Sequence, residues 1–271
     1  MRLDEEVRAA CLTKLRDEAR TDYLTALLLP SVLRDPFLTL RAFHAEVVAV
    51  PYKVREAIAG QVRLQWWRDV IERERDVEAL ANPISAALLE LIEQRPDAAA
   101  PLIAKMEAHE ADLYGDGPPD VNALEGYAGE TRSVLYALGA RFATDETLSE
   151  ASGHAGVAEY LAELLANLPA QRAQGRVVVP ADLLPEGGPT AWLAGTNEGG
   201  ETVVTRLSEL CRSHVSRARA APLPAETRGL FRPLSVFEAT ARIAERNPAG
   251  VLEHGVRLSA LRRQWSLLRG P

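Results

Sequence analysis

Only one run in this 271-residue chain looks like a β-strand, Arg176-Val-Val-Val-Pro180, and it is too short and too isolated to found a sheet. The rest recurs at helical spacing or is punctuated by caps, prolines and glycines. The core must therefore be built from helices. Residues 3–19 place Leu3, Val7, Cys11 and Leu15 four apart, an amphipathic pattern. Asp22 reads as a cap for a segment through Tyr23, Leu24, Leu27 and Leu28 to Pro30. Asp35-Pro36 reads as cap plus first-turn proline for a helix carrying Phe37, Leu40, Phe43 and Val47, which Pro51 ends or kinks.

A helix from about Arg55 to Arg75 follows, with Leu64, Trp67 and Ile71 on one face and Arg68 beside it. Asn82-Pro83 repeats the cap-plus-proline signature for a helix that ends near Arg95-Pro96. Asp97 starts the next, through Leu102, Ile103 and Met106 to Leu113. Gly115 to Pro119 is a break, and Asp120 caps a helix through Leu124. Further helical stretches run from Thr131 to Phe142 and from Ser152 to Leu168. Residues 185–200 hold enough proline and glycine to read as an irregular surface loop. Beyond it lie helices over Glu201–Arg219, Ser235–Arg246 and Val256–Arg269, the last with Leu258, Leu261, Trp265 and Leu268 on one side. The reading is an all-α single domain over residues 1–271.

A net charge of −7 argues against nucleic-acid binding driven by excess positive charge. Cys11 and Cys211 stand far apart with no zinc spacing, which fits a reducing compartment. The acidic start Met1-Arg-Leu-Asp-Glu-Glu lacks the apolar core of a secretory signal and the arginine-rich character of a mitochondrial presequence. No apolar run nears the ~18 residues that span a bilayer. The expectation is a cytoplasmic protein, peripheral to a membrane at most.

Motifs for hydrolase, nucleotide and dinucleotide chemistry are missing. His109-Glu110-x-Asp112 lacks the second histidine a zinc helix needs and reads as a solvated helix face. Asp69, Glu72 and Asp76, interleaved with Arg68, Arg73 and Arg75, read as an exposed salt-bridged face. Glu159 and Glu163 are four apart. Such a pair can hold Mg²⁺ against a diphosphate, though like charges at this spacing are common on wet faces.

Several segments taken together resemble one family. They are Thr21 to Pro30, Leu40-Arg-Ala-Phe-His-Ala-Glu46, Gln65-Trp-Trp-Arg68 within Val62–Ile71, Gly175-Arg-Val-Val-Val-Pro-Ala-Asp-Leu-Leu184 and Leu261-Arg-Arg-Gln-Trp-Ser-Leu-Leu268. In that order they are similar to the squalene/phytoene synthases. The resemblance covers nearly the whole chain and implies a helical isoprenoid-synthase-like bundle around a central cavity. Working members of that family join two prenyl diphosphates, and two Asp-x-x-x-Asp motifs hold Mg²⁺ against the diphosphates.

Set against the first motif, Val48 and Tyr52 stand where the aspartates would be; against the second, Asn167 and Gln171 do. Amides and apolar groups bring no negative charge to Mg²⁺, so ionisation of an allylic diphosphate would lose its charge neutralisation. A branch of the family with this kind of loss includes assembly factor 6 of respiratory complex I and its bacterial relatives. Gln-Trp-Trp-Arg and Leu-Arg-Arg-Gln-Trp resemble that branch. The resemblance implies a pseudoenzyme with no cofactor and an assembly role, with complex I subunits or a prenyl lipid as partner. Trp66 and Trp67 would line a cavity or core, Arg68 and Arg176 would contact anions, and Tyr52, Asn167 and Gln171 would mark the vacated metal places. The alternatives are a prenyltransferase with Glu46 and Glu163 as atypical Mg²⁺ ligands, and a plain prenyl-lipid binder.

Overall fold

Several helices begin where the sequence offers a cap. In the computed structural model, which describes residues 1–195 and 199–270, Asp4 Oδ1 accepts from the Glu6 N–H at 3.0 Å and opens α1 (Glu5–Glu18). There follow α2 (Arg20–Leu28), α3 (Ser31–Val48), α4 (Val50–Lys53), α5 (Ala57–Ile71) and α6 (Asp76–Leu80). Asn82 Oδ1 accepts from the Ile84 and Ser85 N–H groups and, with Pro83, starts α7 (Pro83–Gln94). Next come α8 (Ala99–Glu110) and α9 (Val121–Ala128), the latter capped by Asp120 through the Ala123 N–H at 2.8 Å. A π-turn, Gly129–Ser133, leads into α10 (Val134–Ala140). The remaining helices are α11 (Ser149–Ala173), α12 (Gly188–Ala194), α13 (Gly200–Ala220), α14 (Leu234–Arg246), α15 (Pro248–His254) and α16 (Ala260–Arg269). No strand forms among the described residues, so the all-α expectation holds.

The described residues gather into two compact units. The first comprises residues 1–114, 134–148 and 224–230, with α3 packed by α1, α2, α7, α8 and α10. Leu33, Leu40, Phe43 and Val47 of α3 meet a core that includes Leu64, Trp67 and Ile71 of α5 and Leu102 and Met106 of α8. Each such side chain contributes about 1.5–3 kcal/mol by leaving water. The second unit comprises residues 115–133, 149–223 and those from 231 on. There α11 packs on α13, α14, α15 and the π-turn, burying Leu161, Leu165, Val204, Leu207 and Phe237. Gly156 allows α11 to pass the π-turn: a Cβ on it would lie 2.2 Å from the Ser133 nitrogen.

Some local expectations change. α3 begins at Ser31, a turn before Asp35-Pro36, so Pro36 lies inside the helix and Asp35 is no cap. The Asp35 carboxylate instead accepts from the Leu3 N–H at 2.9 Å and from Arg8 Nε and Nη2 at 2.9 and 2.8 Å. A long-range guanidinium outcompetes a local cap. Asp22 likewise lies in the first turn of α2 rather than ahead of it, and Ser235 lies within α14. The strand-like run forms no strand: its Val177 N–H goes to the Gly115 carbonyl at 3.1 Å, and a Cβ on Gly117 would lie 2.8 Å from the Val177 and Val179 carbonyl oxygens.

The 185–200 stretch contains α12, whose Trp192 is fully buried. Its glycines are the ends of that helix: Gly187 (φ 91°) precedes it and Gly195 (φ 81°) closes it in the left-handed region. Residues 196–198 of the expected loop lie outside the described residues. No described helix is long and apolar enough to cross a membrane.

Candidate functional site

Helix α3 and helix α8 both carry polar groups on faces that their spacing marks as apolar. On α8, Leu102, Lys105, Met106 and His109 follow i, i+3, i+4, i+7, and all are buried. On α3, Arg41 and His44 are buried among Leu40, Phe43 and Val47. The result is a connected cluster inside the first unit. Lys105 Nζ lies 2.8 Å from His44 Nδ1 and 2.8 Å from His109 Nε2, and His109 Nδ1 lies 2.7 Å from Asp112 Oδ2.

The donor–acceptor inventory orients this chain of contacts. With Lys105 as an ammonium, which only donates, both imidazole nitrogens facing it accept and His109 Nδ1–H donates to the Asp112 carboxylate. A further proton on either facing nitrogen would put two cations within 2.8 Å. His109, expected on a wetted face, is therefore a core residue.

Arg41 lies close by on α3, its guanidinium 4.7 Å from the Tyr136 ring and 5.4 Å from the Phe37 ring, with Asp22 at 3.8 Å. The tryptophan pair forms an edge-to-face series: Trp66 to Trp67 at 4.9 Å and Trp67 to Phe43 at 5.1 Å. Trp67 is core and Trp66 is half-buried. Arg68, an expected anion contact, pairs with Glu110 at 3.1 Å and approaches Glu107 at 3.8 Å. The acidic row beside it is salt-bridged as expected, through Arg73–Asp76 and Arg75–Asp69, but Asp69 is buried rather than on an exposed face. Hydrogen bonds from Arg75 and then Gln65 hold the Asp69 carboxyl below its usual range. Val48 closes α3, and Tyr52 on α4 is half in solvent. Glu46, an alternative metal ligand, is held by Lys14 at 2.6 Å and Lys53 at 3.6 Å.

The second unit has its own polar core, centred on the π-turn. That turn presents Arg132, which donates to Glu163 Oε2 from Nε and Nη2 at 3.2 and 3.0 Å and lies over the Tyr160 ring at 5.4 Å. Burial opposes the Arg132 charge, but Glu163, with Tyr127 and Glu159, outweighs it and holds its pKa above the ordinary value. Glu159 is buried, not on a wet face. Asn167 is exposed, its amide donating to the Glu163 carbonyl at 3.0 Å. Gln171 and Arg176 are half-buried and joined through the backbone, Arg176 N–H to Gln171 carbonyl at 3.0 Å. Further along, His154 Nδ1 lies 3.0 Å from His214 Nδ1, and His214 Nε2 lies 3.1 Å from Glu125. Burial pushes the Cys11 and Cys211 thiols up to about 12, so neither is a nucleophile near neutral pH.

Of the residues named from sequence, Trp66, Trp67, Arg68 and the α11 acids lie in or beside these side-chain groups; His109 was read as solvated, and Lys105, Arg41 and Arg132 were not singled out. A signal existed for Lys105, Arg41 and the histidines, which occupy core-facing helical positions. None existed for Arg132, because a π-turn leaves no regular period.

Comparison with known proteins adds the context. The profile of the family described as squalene/phytoene synthase matches residues 15–267. The chain is similar to NADH dehydrogenase (ubiquinone) complex I, assembly factor 6, at 27% identity over 175 residues of the Homo sapiens protein and 26% over 175 residues of the Bos taurus protein. Each match takes in 64% of this chain and 53% of the relative, so the chain spans about half the length of these curated relatives. Among solved structures, a dehydrosqualene synthase in complex with ligand superposes with a TM-score of 0.80 at 13% identity, covering 98% of this chain and 95% of that one. Squalene synthase HpnC from Alicyclobacillus acidocaldarius superposes with a TM-score of 0.71 at 18% identity, covering 91% and 97%. The fold is the helical isoprenoid synthase fold.

Proposed function

The chain belongs to the squalene/phytoene synthase family, and from that premise we propose that it is a non-catalytic member with an assembly role towards respiratory complex I. The donor set carries the reading. On our placement of the two aspartate motifs, Val48, Tyr52, Asn167 and Gln171 stand at the four metal-binding positions, and none supplies a carboxylate. The nearest replacements are occupied: Glu46 faces Lys14 and Lys53, and Glu163 faces Arg132. Mg²⁺ takes one or two carboxylates besides phosphate oxygens and waters. Glu46 and Glu163 would have to give up ammonium or guanidinium partners first, although Glu159 and Glu163 bring two carboxylate oxygens within 4.8 Å of each other; no catalytic step is assigned to the ion. Similarity to assembly factor 6 supports the role assigned instead. A cytoplasmic location and the lack of a resident cofactor are parts of the same proposal.

The test is direct. Purified protein incubated with farnesyl or geranylgeranyl diphosphate and Mg²⁺ is expected to release no pyrophosphate above the protein-free rate. Turnover that disappears in Glu163→Ala would overturn the reading in favour of a prenyltransferase with atypical ligands. Affinity capture from the native host is expected to bring down complex I subunits; Mg²⁺-independent binding of a prenyl lipid, without those subunits, favours a carrier.

A further inference from the structure

Helix α16 turns its apolar residues away from the protein. Its packed face, Ser266 and Leu267 with half-buried Arg263, lies on α14. Arg232 reaches the Leu267 carbonyl at 2.9 Å, and the Ser235 hydroxyl donates to the Gly270 carbonyl. At about 100° per residue, Leu261, Trp265 and Leu268 form one narrow stripe on the opposite side. They are 80%, 59% and 59% exposed. Among the described residues Trp265 is also the only tryptophan whose side chain stands mainly in solvent.

The charge around the stripe bears on what could cover it. From Gly255 to Gly270 the chain carries Arg257, Arg262, Arg263 and Arg269 and no acid, inside a chain whose net charge is −7. Arg262 and Arg269 flank the stripe, and the Arg269 guanidinium sits 5.3 Å from the Trp265 ring. The acids of the supporting helix are already engaged: Glu238 by Arg219 and Arg242, Glu245 by Arg212. The local surface is therefore apolar at its centre and cationic at its edge. An indole with an arginine beside it suits the boundary between acyl chains and headgroups, where the ring body is apolar and its N–H and the guanidinium stay wet.

We infer that α16 docks in the plane of an anionic lipid bilayer, Leu261, Trp265 and Leu268 entering the acyl boundary and Arg262 and Arg269 facing lipid phosphates. The helix has ten residues, too few to span a membrane but enough to lie on one. The occupant is anionic because a neutral surface would leave the arginine fringe without a counter-charge.

The experiment is sedimentation of the full chain with vesicles of phosphatidylcholine alone or mixed with phosphatidylglycerol, at low and high salt. Wild type is expected to follow the mixed vesicles, to stay in solution with phosphatidylcholine alone, and to be released by salt. Leu261→Ser/Trp265→Ser and Arg262→Glu/Arg269→Glu each weaken partition about tenfold or more, with thermal melting unchanged because these side chains are exposed. Three results overturn the inference. Wild type fails to bind mixed vesicles; the stripe variant binds as well as wild type; or sedimentation equilibrium shows a dimer that the stripe variant dissolves, which would make a second copy the occupant.

Discussion

In the first unit a buried lysine amine lies between two imidazoles, with a carboxylate one step further out at Asp112; in the second a buried arginine is gripped by a carboxylate with another beside it. The arginine cluster is compensated wherever carboxylates are ionised. The lysine cluster depends on the imidazole nitrogens staying free to accept, so its integrity is a matter of proton placement as much as of packing. A family scaffold can thus keep polar interiors in both units while each is stabilised by a different kind of bond.

The largest test of that contrast is Lys105→Ala. It removes the common donor of both imidazoles and opens a void, and is expected to cost about 3–5 kcal/mol in urea unfolding. Lys105→Met, which keeps the stem, is expected to lose about 1–3 kcal/mol, the cost of the unmade hydrogen bonds. Equal losses in the two variants would show that volume, not hydrogen bonding, holds this core.

In the second unit the corresponding weak point is steric. Gly156→Ala forces a methyl against the Ser133 backbone that presents Arg132, and a loss of about 1–3 kcal/mol is expected. Hydrogen exchange should then show deprotection over 129–133; protection unchanged there would break the link between the glycine and the arginine. Smaller still are the caps, one per unit. Asn82→Ala in the first and Asp120→Ala in the second should each lower stability by about 1 kcal/mol, and a much larger loss for either would mean that its helix start carries tertiary load.

Acid titration separates the units by the pH at which each weakens, with the smallest effect at any one pH. Burial, then His214 and Arg217, hold the His154 pKa in the second unit below its ordinary 6.5. The unfolded chain takes up that proton first, so stability falls as pH drops from 6.5 through the folded value and is flat above it. In the first unit, burial raises the Asp35 pKa, but Arg8 and the Leu3 N–H outweigh it, and the carboxyl titrates below its ordinary 3.8. Its contribution is present above 3.8 and is lost as pH falls through the lower folded value. Urea midpoints across this range should flatten near the upper step in His154→Gln and lose the lower step in Asp35→Asn. If either variant leaves its step in place, the assignment fails.

Much of the fold was legible before any coordinates. Asn82-Pro83 and Asp120 cap as read, and Leu64, Trp67 and Ile71 are buried together as their spacing required. These features are local: a cap needs partners within four residues and a stripe needs only period. Asp35 and α12 were misread for the complementary reason. A cap signature was captured by Arg8 from another helix, and glycines read as loop proved to be helix ends.

The sequence by itself determined the helical class, most helix limits and the family likeness, because each follows from short-range hydrogen bonding, periodicity or motif. Only the tertiary structure decided which polar side chains meet, Lys105 with His44 across sixty-one residues and Arg132 with Glu163 across thirty-one. It alone also decided that the stripe of α16 faces solvent while that of α5 faces core. Periodicity says that a helix has two faces; which one is buried depends on what packs against it, and that partner can lie anywhere in the chain.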